Sequence, residues 1–291
     1  MFDPARPGYV PVMIPIDVSD PSRINWPVPE PELPEGVHVA LAEAAQAAAT
    51  AYRAARHTHS RRELREEVAQ GADGTPTMRV DALVEDAIAE SAHRNGVNLL
   101  SEEAGFLDHG SAVTLVIDPV DGSANAALGV PLSCFAGVVA VDGVATEALT
   151  LWFDTGRTWF ARAGEPTPYR TSGRTALDGA SVNLMRPKRG TEEAWLRVSK
   201  RVERTRSLST TCLETALVAE GAVDAFADCG SDTHRIMDLA AALVTVPAAG
   251  GVLLDLHGRP LSFDPDLTRR WSGVAAATPQ LADELIATIL G

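Results

Sequence analysis

The chain has 291 residues, 45% of them hydrophobic, with 39 Asp and Glu against 25 Lys and Arg and a formal charge of -14. Length and apolar content suffice for a substantial core and exclude a disordered chain. The acidity argues against broad binding to nucleic acid or to an anionic membrane, since both need cationic surface, and no run reaches the roughly 18 apolar residues of a membrane span.

Residues 1–36 are crowded with prolines, which fix φ and remove backbone donors, and read as an extended arm outside the core. The first ten residues lack a basic region followed by an apolar run. The alanine-rich stretch from Val37 to about Arg56 predicts a helix, and a second helical piece follows at 61–69. Gly71-Ala72-Asp73-Gly74-Thr75-Pro76 marks a turn that leads to a helix over roughly 81–94. Val113–Ile117 is a β-branched run of the kind that forms a buried strand, and it ends at Asp118. Segments 134–141 and 144–153 flank Asp142-Gly143, a hairpin signal, and 157–162 adds a third strand of the same antiparallel sheet. Residues 37–177 therefore read as an α+β half.

Residues 178–291 alternate instead, with a strand at 180–184, a helix at 191–203, a short strand at 207–210, a helix at 212–220 and a strand at 224–227. A helix at 238–246, strands at 252–255 and 273–277 and a helix at 279–290 complete an α/β half. Cys134, Cys212 and Cys229 are odd in number and form no CxxC pair, so neither a disulfide framework nor a thiolate zinc site is suggested, and a cytoplasmic protein is expected.

Four acidic segments carry the chemistry. In Asp118-Pro119-Val120-Asp121-Gly122-Ser123-Ala124-Asn125, two carboxylates three residues apart can converge on one Mg²⁺ if Pro119 and Gly122 fold the chain back. The amides that follow could point at an anion, although the same residues also make an ordinary surface turn. Ser101-Glu102-Glu103 places adjacent acids after two apolar residues, which suits a bound cation or a solvated pair. Asp238 begins an otherwise apolar helix and reads as a rigidly delivered ligand or as an N-cap. Asp81 begins the helix that follows Gly74-Thr75-Pro76-Thr77, with the same two readings.

Together, and in this order, the four segments resemble the inositol monophosphatase and fructose-1,6-bisphosphatase superfamily of Mg²⁺-dependent, lithium-sensitive phosphatases. The match runs from about Gly71 to the C-terminus and includes Gly250-Gly251 after Asp238. Gly71–Thr77 and Glu220-Gly221-Ala222-Val223-Asp224-Ala225-Phe226 look particularly like the archaeal branch, which often acts on both inositol monophosphate and fructose 1,6-bisphosphate.

The resemblance implies a layered αβαβα sandwich, a homodimer, and a small phosphate ester as substrate. It implies two or three Mg²⁺ ions per site, replaceable by Mn²⁺ and inhibited by Li⁺. Glu102, Asp118 and the carbonyl of Val120 would hold the first ion, and Asp118, Asp121 and Asp238 the second, with Glu102 and water at a weaker third. Asp81 with the Ser123 hydroxyl would orient the attacking water, the amides of Gly122 and Ser123 would bind phosphate, and Asp121 and Asp228 would meet substrate hydroxyls. Clustered cations would offset the repulsion between a phosphate dianion and hydroxide, so direct in-line attack by water is expected.

Arg186 and Lys188 could meet a second anionic group or belong to a solvated loop. Met237 stands where the family often has tryptophan, Pro247 should end its helix early, and loop 228–234 departs most from the usual substrate-reading segment. Two other readings stay open: a phosphatase of a specialised nucleoside or aminosugar phosphate, and a regulatory or binding homologue that does not rely on turnover. His57, His59 and His234 show no metal-ligand spacing and read as surface or structural residues.

Overall fold

A computed structural model describes residues 22–263 and 266–291; the expected arm at residues 1–21 lies outside them. The chain runs through α1 (Val39–Thr58), α2 (Arg61–Leu64), β1 (Glu67–Gln70), β2 (Pro76–Met78), α3 (Arg79–Arg94), β3 (Asn98–Ser101), β4 (Gly105–Leu107) and β5 (Val113–Asp121). A short α4 (Ser123–Leu128) precedes β6 (Cys134–Val141), β7 (Val144–Trp152) and β8 (Thr158–Arg162). The second half contains β9 (Ser181–Leu184), α5 (Glu192–Arg201), β10 (Arg204–Arg206), α6 (Thr211–Ala219), β11 (Ala225–Ala227), α7 (Ile236–Ala248), β12 (Val252–Asp255), β13 (Gly273–Ala276) and α8 (Pro279–Leu290).

Strand faces decide how these elements stack. In β5, Leu115 and Ile117 face one apolar cluster with α1 and α3, while Val116 faces another with α6 and α7. In β11 and β13, Phe226 and Ala275 join that same central cluster, whereas Ala225, Ala227, Val274 and Ala276 face α5 and α8. Alternation with both faces apolar means both faces of each sheet are covered. The result is the expected αβαβα sandwich: α1 and α3, a six-stranded sheet, α6 and α7, a five-stranded sheet, then α5 and α8. Small side chains in α7, Ala240 to Ala242, let it lie between the two sheets, and a Cβ on Gly273 would come within 2.5 Å of Leu239.

The first sheet, ordered β4-β3-β5-β6-β7-β8, is antiparallel from β5 to β8 as expected, but β3 joins β5 in parallel and makes it mixed. The helix expected over 61–69 stops after one turn. Ser60 and Glu63 form a capping box, but the Glu66 carbonyl is taken by Arg79 N and the Glu63 carbonyl by Arg79 Nε. Residues 67–70 then pair with β2. The strand expected at 207–210 lies instead at Arg204–Arg206, because the amides of Leu208 and Thr210 donate to the Glu214 carboxylate and Ser209 has φ 60°. Pro247 stands one residue before the end of α7, so the helix stops close to where a missing amide should stop it.

The described part of the proline-rich segment is not outside the core. Ile24 and Val28 are buried in the cluster formed by α1, α3 and the first sheet. Arg56 holds the segment there: its guanidinium donates to Asp154 Oδ1 at 2.7 Å and to the Trp26 carbonyl at 2.9 Å, and it sits 5.1 Å from the centre of the Trp26 ring. Both charged side chains are less than 5% exposed, at 3% and 4%. Removing one partner of such a pair strands the other without solvent, so Asp154→Ala should cost about 3–5 kcal/mol in urea unfolding. A loss within experimental error would show that the pair contributes nothing to holding the segment.

Candidate metal centre

Three elements deliver carboxylates to one place. β5 carries Asp118 opposite Ala136 and Asp121 opposite Cys134, with a register shift between them. The strand therefore continues past Asp118 rather than ending there, and Pro119, which has no amide to give a ladder, sits inside the irregularity. The sharp turn falls at Gly122, where φ is 84° and an added Cβ would come within 2.7 Å of the Leu132 carbonyl. The turn between β3 and β4 carries Glu102 and Glu103, and the first turn of α7 carries Asp238.

Ligand oxygens of Glu102, Asp118 and Asp238 all lie within 4.8 Å of one another, and a second group joins Asp118 and Asp121 to the Cys212 thiol. Asp118 is common to both. Burial, and after it Asp121, Asp238 and Glu102, push the Asp118 carboxyl well above the usual carboxylate range. Glu102 is pushed up in the same way by burial and by its acidic neighbours, with Arg235 opposing them. A cluster that resists its own ionisation is one that a cation relieves. The all-carboxylate group of Glu102, Asp118 and Asp238 fits a divalent ion of the Mg²⁺ class, whereas the second group includes the softer Cys212 thiol.

Asp121 is bound to the start of α6. Its Oδ2 accepts from Thr210 Oγ1 at 2.6 Å and from Cys212 N at 2.7 Å, and its Oδ1 accepts from Thr211 N at 3.2 Å. Burial raises its proton affinity, and these donors work against the rise. Asp238 is not the N-cap of α7: Arg235 holds that place, and Asp238, three residues on, accepts from the Arg235 amide through Oδ2 at 2.7 Å while it also joins the carboxylate cluster.

Asp81 is 6% exposed at the start of α3, and burial pushes its carboxyl up to about 7, with the Ser123 hydroxyl opposing the rise. The structure thus places Asp81 and Ser123 together. Ser123 Oγ also donates to the Val120 carbonyl at 3.0 Å.

A cavity of about 430 Å³ opens beside these groups and is lined by Asp121, Asp238, Arg186, Lys188, Glu214 and Arg235 among others. Arg186 and Lys188 are therefore at the site rather than in a remote loop. Burial and then the Arg186 charge lower the proton affinity of Lys188. Asp228 is not among the lining residues; its carboxylate accepts from Ser231 N at 3.0 Å and Ser231 Oγ at 2.9 Å. His234 lines the same cavity but is held in place there, buried between Thr211 Oγ1 and the Gly273 amide, which donates to its Nδ1 at 3.1 Å. All three cysteines are free and buried.

The sequence gives little sign of Arg235, Asp73, Thr210 or Cys212. Arg235 Nη2 lies 2.7 Å from Glu102 Oε1, and its Nε lies 2.5 Å from Asp73 Oδ2. The one available signal is its place three residues before Asp238, the spacing of a helix-start pair.

Several of these carboxyls hold protons more tightly when folded. Burial raises Asp81 and Glu85 to about 7 and Glu214 to about 8. Between their ordinary range near pH 4 and these values the folded chain binds more protons than the unfolded one. Their contribution to stability is complete below about pH 4 and is lost as the pH rises through about 7 and 8. Tm measured in chelator should fall from pH 5 to pH 8, and Glu214→Gln should flatten the upper part of the fall; a Tm that rises over that window would contradict the assignment.

Residues 34–290 match the model of the inositol monophosphatase family, and the chain belongs to that family. It is a metal-dependent phosphoric monoester hydrolase, and the sequence motifs and the layered fold agree with this. It is 31% identical over 233 residues to a fructose-1,6-bisphosphatase/inositol-1-monophosphatase of Thermococcus kodakarensis, covering 76% of this chain and 86% of that one. It is 32% identical over 229 residues to a fructose-1,6-bisphosphatase of Pyrococcus furiosus, covering 75% and 83%. A solved inositol monophosphatase-fructose 1,6-bisphosphatase superposes with a TM-score of 0.70 at 25% identity, over 78% of this chain and 92% of that one. The likeness to the archaeal branch agrees with the reading of Gly71–Thr77. Among the described residues no helix is long and apolar enough to cross a membrane.

Proposed function

We propose that this chain is a Mg²⁺-dependent phosphatase of small polyol and sugar phosphates, and that it accepts esters bearing a second anionic group. The convergence of Glu102, Asp118 and Asp238 beside a cavity that also presents Arg186 and Lys188 carries the reading. Glu102, Asp118, Asp121 and Asp238 would hold the ions, which supply positive charge for the phosphate and lower the pKa of water. The residues do the rest. Asp121, fixed by Thr210 and the amide of Cys212, keeps its carboxylate oriented toward the centre without side-chain freedom. Asp81, with a carboxyl poised near neutrality, suits acceptance of the proton that the attacking water releases, and Ser123 orients it.

Arg186 and Lys188 repel each other at the cavity, and an anionic group on the substrate relieves that repulsion. Bisphosphates in the manner of fructose 1,6-bisphosphate suit this arrangement, and so does an inositol phosphate without using the second contact.

Phosphate release from inositol 1-phosphate and fructose 1,6-bisphosphate with Mg²⁺ is the direct test. Asp118→Asn and Asp121→Asn should each lose at least about two orders of magnitude in rate while circular dichroism stays native; full activity in both would end the metal mechanism. Arg186→Ala with Lys188→Ala should raise KM for the bisphosphate about tenfold or more, with KM for the monophosphate little changed. Equal effects on both esters would remove the second anion contact.

A further inference from the structure

Arg235 bridges two things that need not be joined. At the start of α7 its guanidinium reaches Glu102 Oε1 at 2.7 Å and stands 4.0 Å from Asp238 Oδ2, two of the three carboxylates that gather for a metal ion. Its Nε reaches Asp73 Oδ2 at 2.5 Å, and Nη2, the nitrogen that meets Glu102, also reaches Thr75 Oγ1 at 3.2 Å, both partners lying in the turn between β1 and β2. The side chain is 15% exposed and lines the cavity. A guanidinium and a divalent ion on one carboxylate repel each other, so Glu102 cannot serve both at full strength.

The surroundings allow an exchange. Asp73, whose side chain is 0% exposed, also has Arg270 Nη2 at 3.4 Å, so it keeps a cationic partner if Arg235 leaves. Glu102 and Asp238 would keep one in the metal. The open cavity gives the departing guanidinium a polar place to go. Resting on the metal reading above, we infer that Arg235 is an internal counter-ion that competes with the divalent metal for Glu102 and Asp238, and that metal entry turns it out toward the cavity. The alternative is a guanidinium that orients Glu102 and assists the ion. The two differ in sign.

Calorimetric titration of Mn²⁺ into chelator-stripped wild-type, Arg235→Met and Arg235→Gln proteins separates them. Competition predicts that both variants bind the ion about tenfold more tightly, because the binding-competent state no longer has to be released first. It also predicts that Tm without added ion is lower in the variants and that saturating Mn²⁺ narrows the gap. Equal or weaker binding in natively folded variants overturns the counter-ion and leaves the metal reading standing. No uptake by the wild type overturns the metal reading and this inference with it. A measurement on the wild type alone covers the case in which the variants do not fold: the Arg235 side-chain N–H signal should be protected from exchange without added ion and lose that protection with Mg²⁺. Retained protection at saturating Mg²⁺ overturns the inference.

Discussion

Mutual repulsion among buried carboxylates is the constraint around which this fold is arranged. Asp118 is 3% exposed and stands within reach of Glu102, Asp121 and Asp238, so no arrangement of apolar neighbours makes the group comfortable. Such a cluster costs stability unless donors, cations or protons answer it. The protein uses all three kinds of answer. Backbone amides and a hydroxyl hold Asp121 at the start of α6, a guanidinium meets Glu102, and the carboxyls of Asp81, Glu85 and Glu214 keep their protons to near neutral pH.

The layers exist to bring those groups together. Strand alternation with two apolar faces forces helices onto both sides of each sheet, and the middle helix layer has to serve both sheets at once. α7 meets that demand with alanines, and its first turn then points Asp238 at the end of β5. The bulge between Asp118 and Asp121 has a related effect: two carboxylates on one strand reach one centre because the register slips between them.

Much of this was legible in the residues. β-Branched runs, the Asp142-Gly143 turn and the strand-helix alternation after residue 178 point to an α+β half followed by an α/β half, while the layering and the shared centre of the four acidic segments follow only from the family resemblance. What was not legible depends on long-range partners. The segment 67–70 has helical composition, but Arg79 takes the carbonyls that a longer helix would need. Residues 207–210 have strand-forming character, but Glu214 takes two of their amides. The proline-rich segment near Trp26 reads as an arm outside the core because its anchor, Arg56 with Asp154, is far away in sequence. The role of Arg235 is hidden from the sequence for the same reason, since its partners Asp73 and Glu102 lie more than a hundred residues earlier.

The position of α7 has a consequence for how the molecule comes into being. Synthesis produces Asp81, Glu102, Asp118 and Asp121 long before residue 238, yet the helix that completes their surroundings is also the slab shared by both sheets. A nascent N-terminal half therefore exposes one uncovered sheet face together with an open ring of acids. Because α7 supplies both Asp238 and part of the central apolar layer, completing the cage and covering that face depend on the same late segment of chain.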